Sequence, residues 1–352
     1  AATLGERAAQ AGGRGELIKF VEERLGGSPL SMWIKGEGVW GKRGIAVGAM
    51  TLKHSPYVGA LFTHGIVVIV PQNDKDLAAL TCYIESQQFR SDIRVLDQKV
   101  CVARGSFEQV PFDRDKWIRE AAGKYPKGLP APESSDPTQW LFHGRPDQST
   151  EPLQAAVGRL LGYRWPAELD ESLPLSARAR ELVKKCDALL RDSNMDGIVC
   201  IPALRGENSA ADRLGSLLAA CGIRPDRNID DWLRDSFFEE HCKLFQHRPF
   251  IWHVWDGRKR DGFHALVNYH KLAEGNGKGR KLLGSLTYSY LGEWIKRQQD
   301  GVKRGDEGAE DRLAAAVELQ KRLEAILNGE PPFDLFVRWK PLQQQPIGWE
   351  PD

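Results

Sequence analysis

Seven cations stand where the chain breaks between elements. Lys35, Lys42, Arg43 and Lys53 fall in Gly-rich loops with Trp33, Trp40 and His54 close by, and Arg258, Lys259 and Arg260 follow the aromatic run Pro249 to Trp255. A loop cation beside an aromatic ring can neutralise a phosphate and reach a base edge without breaking a sheet. Residues 278–304 add seven Lys/Arg against two acids, a local excess of five. The chemistry these residues offer is nucleic-acid binding. The plain alternative for each patch is solvated surface.

Other constellations carry less. His241, Cys242, His247 and His253 are metal-ligating types, but the histidines stand six residues apart, which fits neither one helix face nor a knuckle. His264 and His270 repeat that spacing, and all are expected to be structural. Gly275-Asn-Gly-Lys-Gly279 has glycine where a phosphate loop needs Ser or Thr after its lysine, so it is expected to be a flexible solvated loop. The dinucleotide fingerprint GxGxxG and the GxSxG elbow are both expected to be absent. Glu330-Pro-Pro-Phe333 differs from the Asp/Asn/Ser-Pro-Pro-aromatic clamp of amino-methylating enzymes by a side chain one carbon too long, and it follows a helix; a helix-stop turn is expected. The six cysteines form no CxxC pair, which argues against zinc ribbons and fingers. They read as reduced core thiols of a cytoplasmic protein. No metal site and no catalytic constellation emerges.

These residues need a folded core to position them, and the composition supplies one. Of 352 residues, 41% are hydrophobic and 28% charged, with a net charge of +1 and eleven tryptophans. That excludes wholesale disorder and a uniformly basic DNA coat, and about 100–200 residues per domain allows two or three domains. No apolar run approaches about 18 residues, so no membrane span is expected. Residues 14–25 have helical spacing. Ser31–Lys35, Gly44–Met50 and Gly65–Val70 read as strands, the last as a buried one because Ile66 to Val70 is wholly apolar. A helix starts at Asp74 and runs through Tyr83 to Phe89 and Ile93. Val100–Ala103 reads as a short strand and Asp115–Ala122 as a helix.

The Pro- and Ser-rich stretch 123–138 reads as a linker. It separates a mixed-sheet domain, 1–122, from a helix-rich α/β domain, 139–352, in an α+β protein. In the second domain helices are expected at 154–161, 175–190, 210–220, 231–246 (capped by Asp230), 282–299 and 306–327. Strands are expected at 197–202, 249–255 and 333–339. The 306–327 helix carries a stripe of Leu313, Ala316, Leu319 or Gln320, Leu323 and Ile326 that serves either its own domain or a partner. Alternation in the 249–255 strand places Phe250, Trp252 and Val254 on one face and Ile251, His253 and Trp255 on the other, both covered, with only the turn Asp256–Arg260 solvated.

Longer stretches carry a resemblance. Gly65 to Pro71, the helix from Asp74, Ile93 to Val100, Gln109-Val-Pro-Phe-Asp113 and Trp117 resemble the target-recognition domains of type I restriction specificity subunits and fused adenine methyltransferases. Trp140–Pro146 with Leu153–Trp165, Arg248–Arg258, Leu286–Gly292 and Gln345–Asp352 are similar to large adenine-specific DNA methyltransferases of the PglX type, found in BREX and DISARM-like phage defence. The resemblance is strung along most of residues 14–352. It implies a target-recognition domain followed by a DNA-binding or scaffold domain. It also implies double-stranded DNA as partner, other defence-system subunits as further candidates, and S-adenosylmethionine as cofactor of the full-length protein.

That family begins with a methyltransferase domain bearing a Gly-rich cofactor loop and an Asn-Pro-Pro-Tyr motif. Neither is expected in this chain, which also lacks a starting Met. It therefore reads as the C-terminal part of such an enzyme, with no cofactor of its own. It would read and position DNA while the methyltransferase domain of the same polypeptide methylates an extruded adenine. The seven loop cations are the expected DNA contacts. The rivals are an interaction scaffold working through the 306–327 helix and an independent enzyme with an unrecognised site.

Overall fold

The computed structural model describes residues 14–24, 36–59, 62–63 and 65–341. The chain is α+β, as expected. It divides into two compact units that part between Pro132 and Glu133. No described helix is long and apolar enough to cross a membrane.

The first unit contains α1 (Arg14–Arg24) and a sheet of β1 (Gly44–Gly48), β2 (His54–Tyr57) and β3 (Ile66–Ile69) in the order β2-β1-β3. Five residues join β1 to β2, far fewer than the crossover a parallel pair needs. Both pairings are antiparallel, so the sheet is antiparallel throughout where a mixed one was expected. β3 lies at the sheet edge, and its four residues are half-buried rather than buried, because a neighbouring strand covers only one side. The expected strand Ser31–Lys35 lies outside the described residues.

The single helix expected from Asp74 is two, α2 (Leu77–Glu85) and α3 (Gln87–Leu96). Ser86 divides them: its hydroxyl donates to the Tyr83 carbonyl at 2.6 Å and accepts from the Phe89 N–H at 3.1 Å, ending one helix and capping the next. Residues 100–103 form a loop, not a strand. The Asp97 carboxylate accepts from the N–H groups of Lys99 and Ala103 and from the Ser106 hydroxyl, folding the segment back into α4 (Arg104–Gln109). α5 (Arg114–Lys124) follows, capped by Asp113. Ile45 and Val47 of β1 pack with Tyr83, Phe89, Ile93 and Trp117 in the unit's core.

The second unit comprises α6 (Pro152–Leu160), α7 (Ala177–Cys186), β4 (Ile198–Cys200), α8 (Ala210–Ala220), α9 (Ile229–Asp235), α10 (Phe237–Leu244), β5 (Ile251–Trp255) and β6 (His264–Asn268). It continues with α11 (Lys278–Gly284), a π-helical turn (Ser285–Tyr290), α12 (Leu291–Arg304) and α13 (Ala309–Asn328). The end of the Pro-rich stretch packs here: the Trp165 indole donates to the Pro137 carbonyl and the Ser176 hydroxyl to Glu133. The helix expected at 231–246 is also two. Asn228, not Asp230, caps α9 by accepting from the Asp231 N–H, and Ser236 separates α9 from α10.

β6 was not expected, yet it is the centre of an antiparallel sheet, β4-β6-β5, with all five residues buried. Alternation sends side chains to two cores. Val199, Ile251 and Leu266 join the apolar side chains of α6, α8, α9 and α10. Ile198, Cys200, Ala265 and Val267 join those of α11, the π-turn, α12 and α13, with Trp252 and Val254 packed against them. The unit is thus a helix–sheet–helix sandwich. Phe250 precedes β5 and belongs to the first core, so it does not share a face with Trp252. Trp255, at the end of an edge strand, is 42% exposed rather than covered.

Residues 333–339 form no strand. Phe336 is buried beside Trp252 and stacks on Trp339, whose indole donates to the Leu272 carbonyl; ring packing holds this segment instead of a ladder. The α13 stripe is spent on its own unit, with Ala316, Leu319 and Leu323 buried in the second core.

Candidate nucleic-acid interface

Lys35 lies outside the described residues. Lys42 and Arg43 immediately precede β1, and Lys53 immediately precedes β2. The register Gly44↔Tyr57 and Val47↔His54 puts Lys53 at the opposite end of the β1–β2 pair from Lys42 and Arg43. Five residues of strand span about 16 Å at roughly 3.3 Å each. The sequence cluster is therefore two positive groups, one at each end of a strand pair. All three side chains belong to exposed residues and make no ion pair among the described residues. His54 is used differently: it faces Glu85 at 3.4 Å, and Glu85 also takes the Lys124 ammonium and the Tyr125 hydroxyl.

The 256–261 turn is built otherwise. Asp256 closes it by accepting from the N–H groups of Arg258 at 3.0 Å and Phe263 at 2.8 Å. Arg258 makes two bonds to Asp261, at 3.0 and 2.7 Å. Lys259 faces Asp235 at 3.5 Å, and Arg260 bridges Asp231 at 2.7 Å and Asp235 at 3.0 Å. Each cation of this turn already faces a carboxylate.

Gly36-Glu-Gly-Val-Trp-Gly41 has the GxGxxG spacing that the chain was expected to lack. Its context is wrong for a dinucleotide: a 3₁₀ turn, Glu37–Val39, leads into strand β1, so no helix N-terminus faces a phosphate. Gly36 and Gly41 serve packing, whereas a Cβ at Gly38 would meet nothing within 4 Å. At Gly36, with φ of 92°, a Cβ would sit 2.4 Å from the Phe62 ring, and Gly41 lies against Gly59, whose carbonyl accepts its N–H at 3.0 Å. The Gly275–Gly279 loop is not wholly solvated either. Gly279 is buried, and a Cβ there would fall 2.0 Å from the Leu272 carbonyl and 2.6 Å from the Trp339 indole. Gly36, Gly38 and Val39 border a cavity of about 840 Å³ that Ala49, Phe62, Ile66 and Val102 also line.

His241, His253 and His264 are tied singly or in a pair. His241 is fully buried; its Nδ1 meets the Gln154 amide oxygen at 3.0 Å and its Nε2 accepts from the Ile251 N–H at 3.2 Å, joining α10 to β5. Burial pushes its pKa down to about 3. His253 Nε2 lies 2.9 Å from His264 Nδ1, and His264 Nε2 donates to the Arg258 carbonyl. No group of three or more ligating side chains that could hold a metal occurs among the described residues. Glu330 sits directly after α13, its N–H bonded to the Ala325 carbonyl across Gly329, which has φ of 69°; this is a helix-stop turn.

The motif 140–168 holds a buried knot that spacing did not disclose. Arg159, wholly buried, pairs with Glu168, donates to the Gly144 and His143 carbonyls and lies over the Trp165 ring at 5.3 Å. Burial raises the Glu168 pKa, and Arg159 pulls against that shift. Burial also lowers the His143 pKa to about 4. These residues organise the core and leave no open face to a substrate. The signal missed at the surface is Tyr288, exposed in the middle of the basic 278–304 run.

No protein-family model and no curated protein matches this chain.

Proposed function

We propose that this chain is the DNA-reading and scaffold portion of an adenine-specific DNA methyltransferase of phage defence or restriction–modification. Methyl transfer from S-adenosylmethionine belongs to a methyltransferase domain of the same polypeptide. The observation that carries this reading is the exposed cations at the two ends of the β1–β2 pair, Lys42 and Arg43 at one end and Lys53 at the other, with no ion pair among the described residues. β1 is the central strand of three, so the sheet meets a duplex through the loops at its ends rather than as a two-stranded ribbon. Cations about 16 Å apart can reach phosphates on both walls of a major groove about 12 Å wide. The motifs similar to PglX-type enzymes give these cations their setting. Arg258, Lys259 and Arg260 contribute less, because each would first have to leave its carboxylate.

The test is fluorescence anisotropy of the full chain with duplex DNA over a salt series. Changing Lys42, Arg43 and Lys53 together to Gln should flatten the slope of log affinity against log salt by up to about 0.9 per lost phosphate contact. An unchanged slope returns these residues to plain surface and removes the support for the reading.

A further inference from the structure

The continuous helix formed by α11, the π-turn and α12 has one buried and one open side. Leu283, Leu286, Tyr290, Leu291 and Trp294 are buried in the unit's core. The open side carries Arg280, Lys281, Tyr288, Lys296 and Lys303, all exposed, and Tyr288 is 58% exposed. Arg280, Lys281 and Lys296 make no ion pair among the described residues. The nearby acids are occupied: Glu293 by Arg297 and the Arg205 N–H, Asp300 by Lys303.

Four residues to either side of Tyr288 stand Gly284 and Gly292, and a Cβ at either position would meet nothing within 4 Å. Close packing therefore does not require these glycines, although each costs a helix about 1 kcal/mol relative to Ala. Their effect is to leave the tyrosine ring without shoulders. Lys281 and Lys296 flank that ring at seven and eight residues, about 10–12 Å along the axis.

We infer that this face binds an unpaired stretch of nucleic acid, with one base stacked on Tyr288 and neighbouring phosphates held by Arg280, Lys281 and Lys296. Stacking on an exposed ring needs a base released from its duplex, and cations on both sides of the ring track a strand. A lipid surface fits less well, since Tyr288 is the sole large apolar side chain this face exposes, and an interfacial helix needs a broad apolar face. The inference is independent of the cations in the first unit, which would meet a duplex, so either can fail alone.

The full chain is titrated by anisotropy against a labelled thymidine strand of about 20 nucleotides, longer than the roughly 4–16 one site covers, and against a duplex of equal length. Tyr288→Ala should weaken single-strand binding about 5- to 150-fold, equivalent to about 1–3 kcal/mol for one stacked base, and leave duplex binding unchanged. Tyr288→Phe should bind as the parent does. Tyr288→Leu, which preserves helix-forming bulk, should match the Ala variant and guards against a folding artefact. Changing Arg280, Lys281 and Lys296 to Gln should lower the single-strand salt slope by up to about 0.7 per contact. Absence of single-strand binding, equal affinity of the Tyr288→Leu variant, or binding to phosphatidylserine vesicles without binding to the strand would each overturn the inference.

Discussion

Gly144 shows how one residue governs a buried charge. Its φ is 72°, and a Cβ there would lie 1.8 Å from the Arg159 guanidinium. Gly144→Ala must therefore displace Arg159 from Glu168, leaving a carboxylate buried without its cation. Breaking such a pair costs about 3–5 kcal/mol. Urea unfolding should show the midpoint of the second unit falling by that equivalent, with the first unit unaffected; an unchanged midpoint would mean that the knot does not hold α6 in place. Sequence could not reveal the knot. Arg159 sits in a helix whose other residues, Gln154 apart, are apolar or small, and its partner Glu168 is nine residues on, so no helical spacing links them. The loop cations were legible because glycine and charge stand out in sequence. Their state was not: Lys42 and Arg258 look alike until Asp261 is seen beside the second.

At the scale of elements, β5 and its turn separate packing from charge. Trp252 stacks on Tyr269 at 4.8 Å and lies beside Phe336, yet it is half-buried. Trp252→Ala should cost about 2 kcal/mol, below the roughly 3–5 of a fully buried tryptophan, and show as a lower melting temperature. The double variant Arg258→Ala with Arg260→Ala removes partly exposed ion pairs worth about 0–1 kcal/mol each. It should barely shift the melting temperature, and a drop as large as that of Trp252→Ala would give the turn a structural role.

The strands at 44–50, 65–70, 197–202 and 249–255 were legible as Val- and Ile-rich runs between Gly and Pro. β6 was not, because His264 and Asn268 frame only three apolar residues. The hairpin sign was there, an apolar triplet soon after β5 across a glycine-bearing turn. The 333–339 run misled for the opposite reason: its aromatic residues pack without pairing.

For the whole molecule, acid acts unevenly. Burial lowers the pKa of His143 and His253 to about 4 and of His241 to about 3, and lowers those of His264 and His270. All five belong to the second unit. Their unfolded value is about 6.5, so below that pH the unfolded chain takes up protons that the folded chain refuses. Their contribution is fully present above about 6.5 and drains away as pH falls towards about 4. It is on the order of 3 kcal/mol for the buried His143 and 5 kcal/mol for the buried His241, at about 1.36 kcal/mol per unit. Glu168, raised by burial, works in the opposite direction. In the first unit, the lowered carboxylates of Glu85 and Asp97 matter only below roughly 4.5. Hydrogen exchange at pH 7.5 and 5.0, corrected for intrinsic rates, should show protection lost in residues 133–341 and kept in 65–132. Equal loss in both units would refute this. A second whole-chain outcome follows from the Gly36–Gly41 turn, which leads into a strand and offers a phosphate no helix N-terminus: calorimetric titration with S-adenosylmethionine should give no micromolar binding, and the chain alone should not methylate duplex DNA.

The sheet between two cores makes the second unit indivisible. β4, β5 and β6 lie within residues 198–268, but the helices that cover one of their faces lie within 278–328. A polypeptide stopped after Leu272 would hold every strand and still expose Ile198, Ala265, Val267 and Trp252 together. Such a bare apolar surface drives self-association. A C-terminal truncation there should yield inclusion bodies rather than a smaller soluble protein, and supplying residues 273–341 as a separate chain should rescue it. Gene fusions and split reporters therefore have their natural cut between Pro132 and Glu133, never between strand and lid.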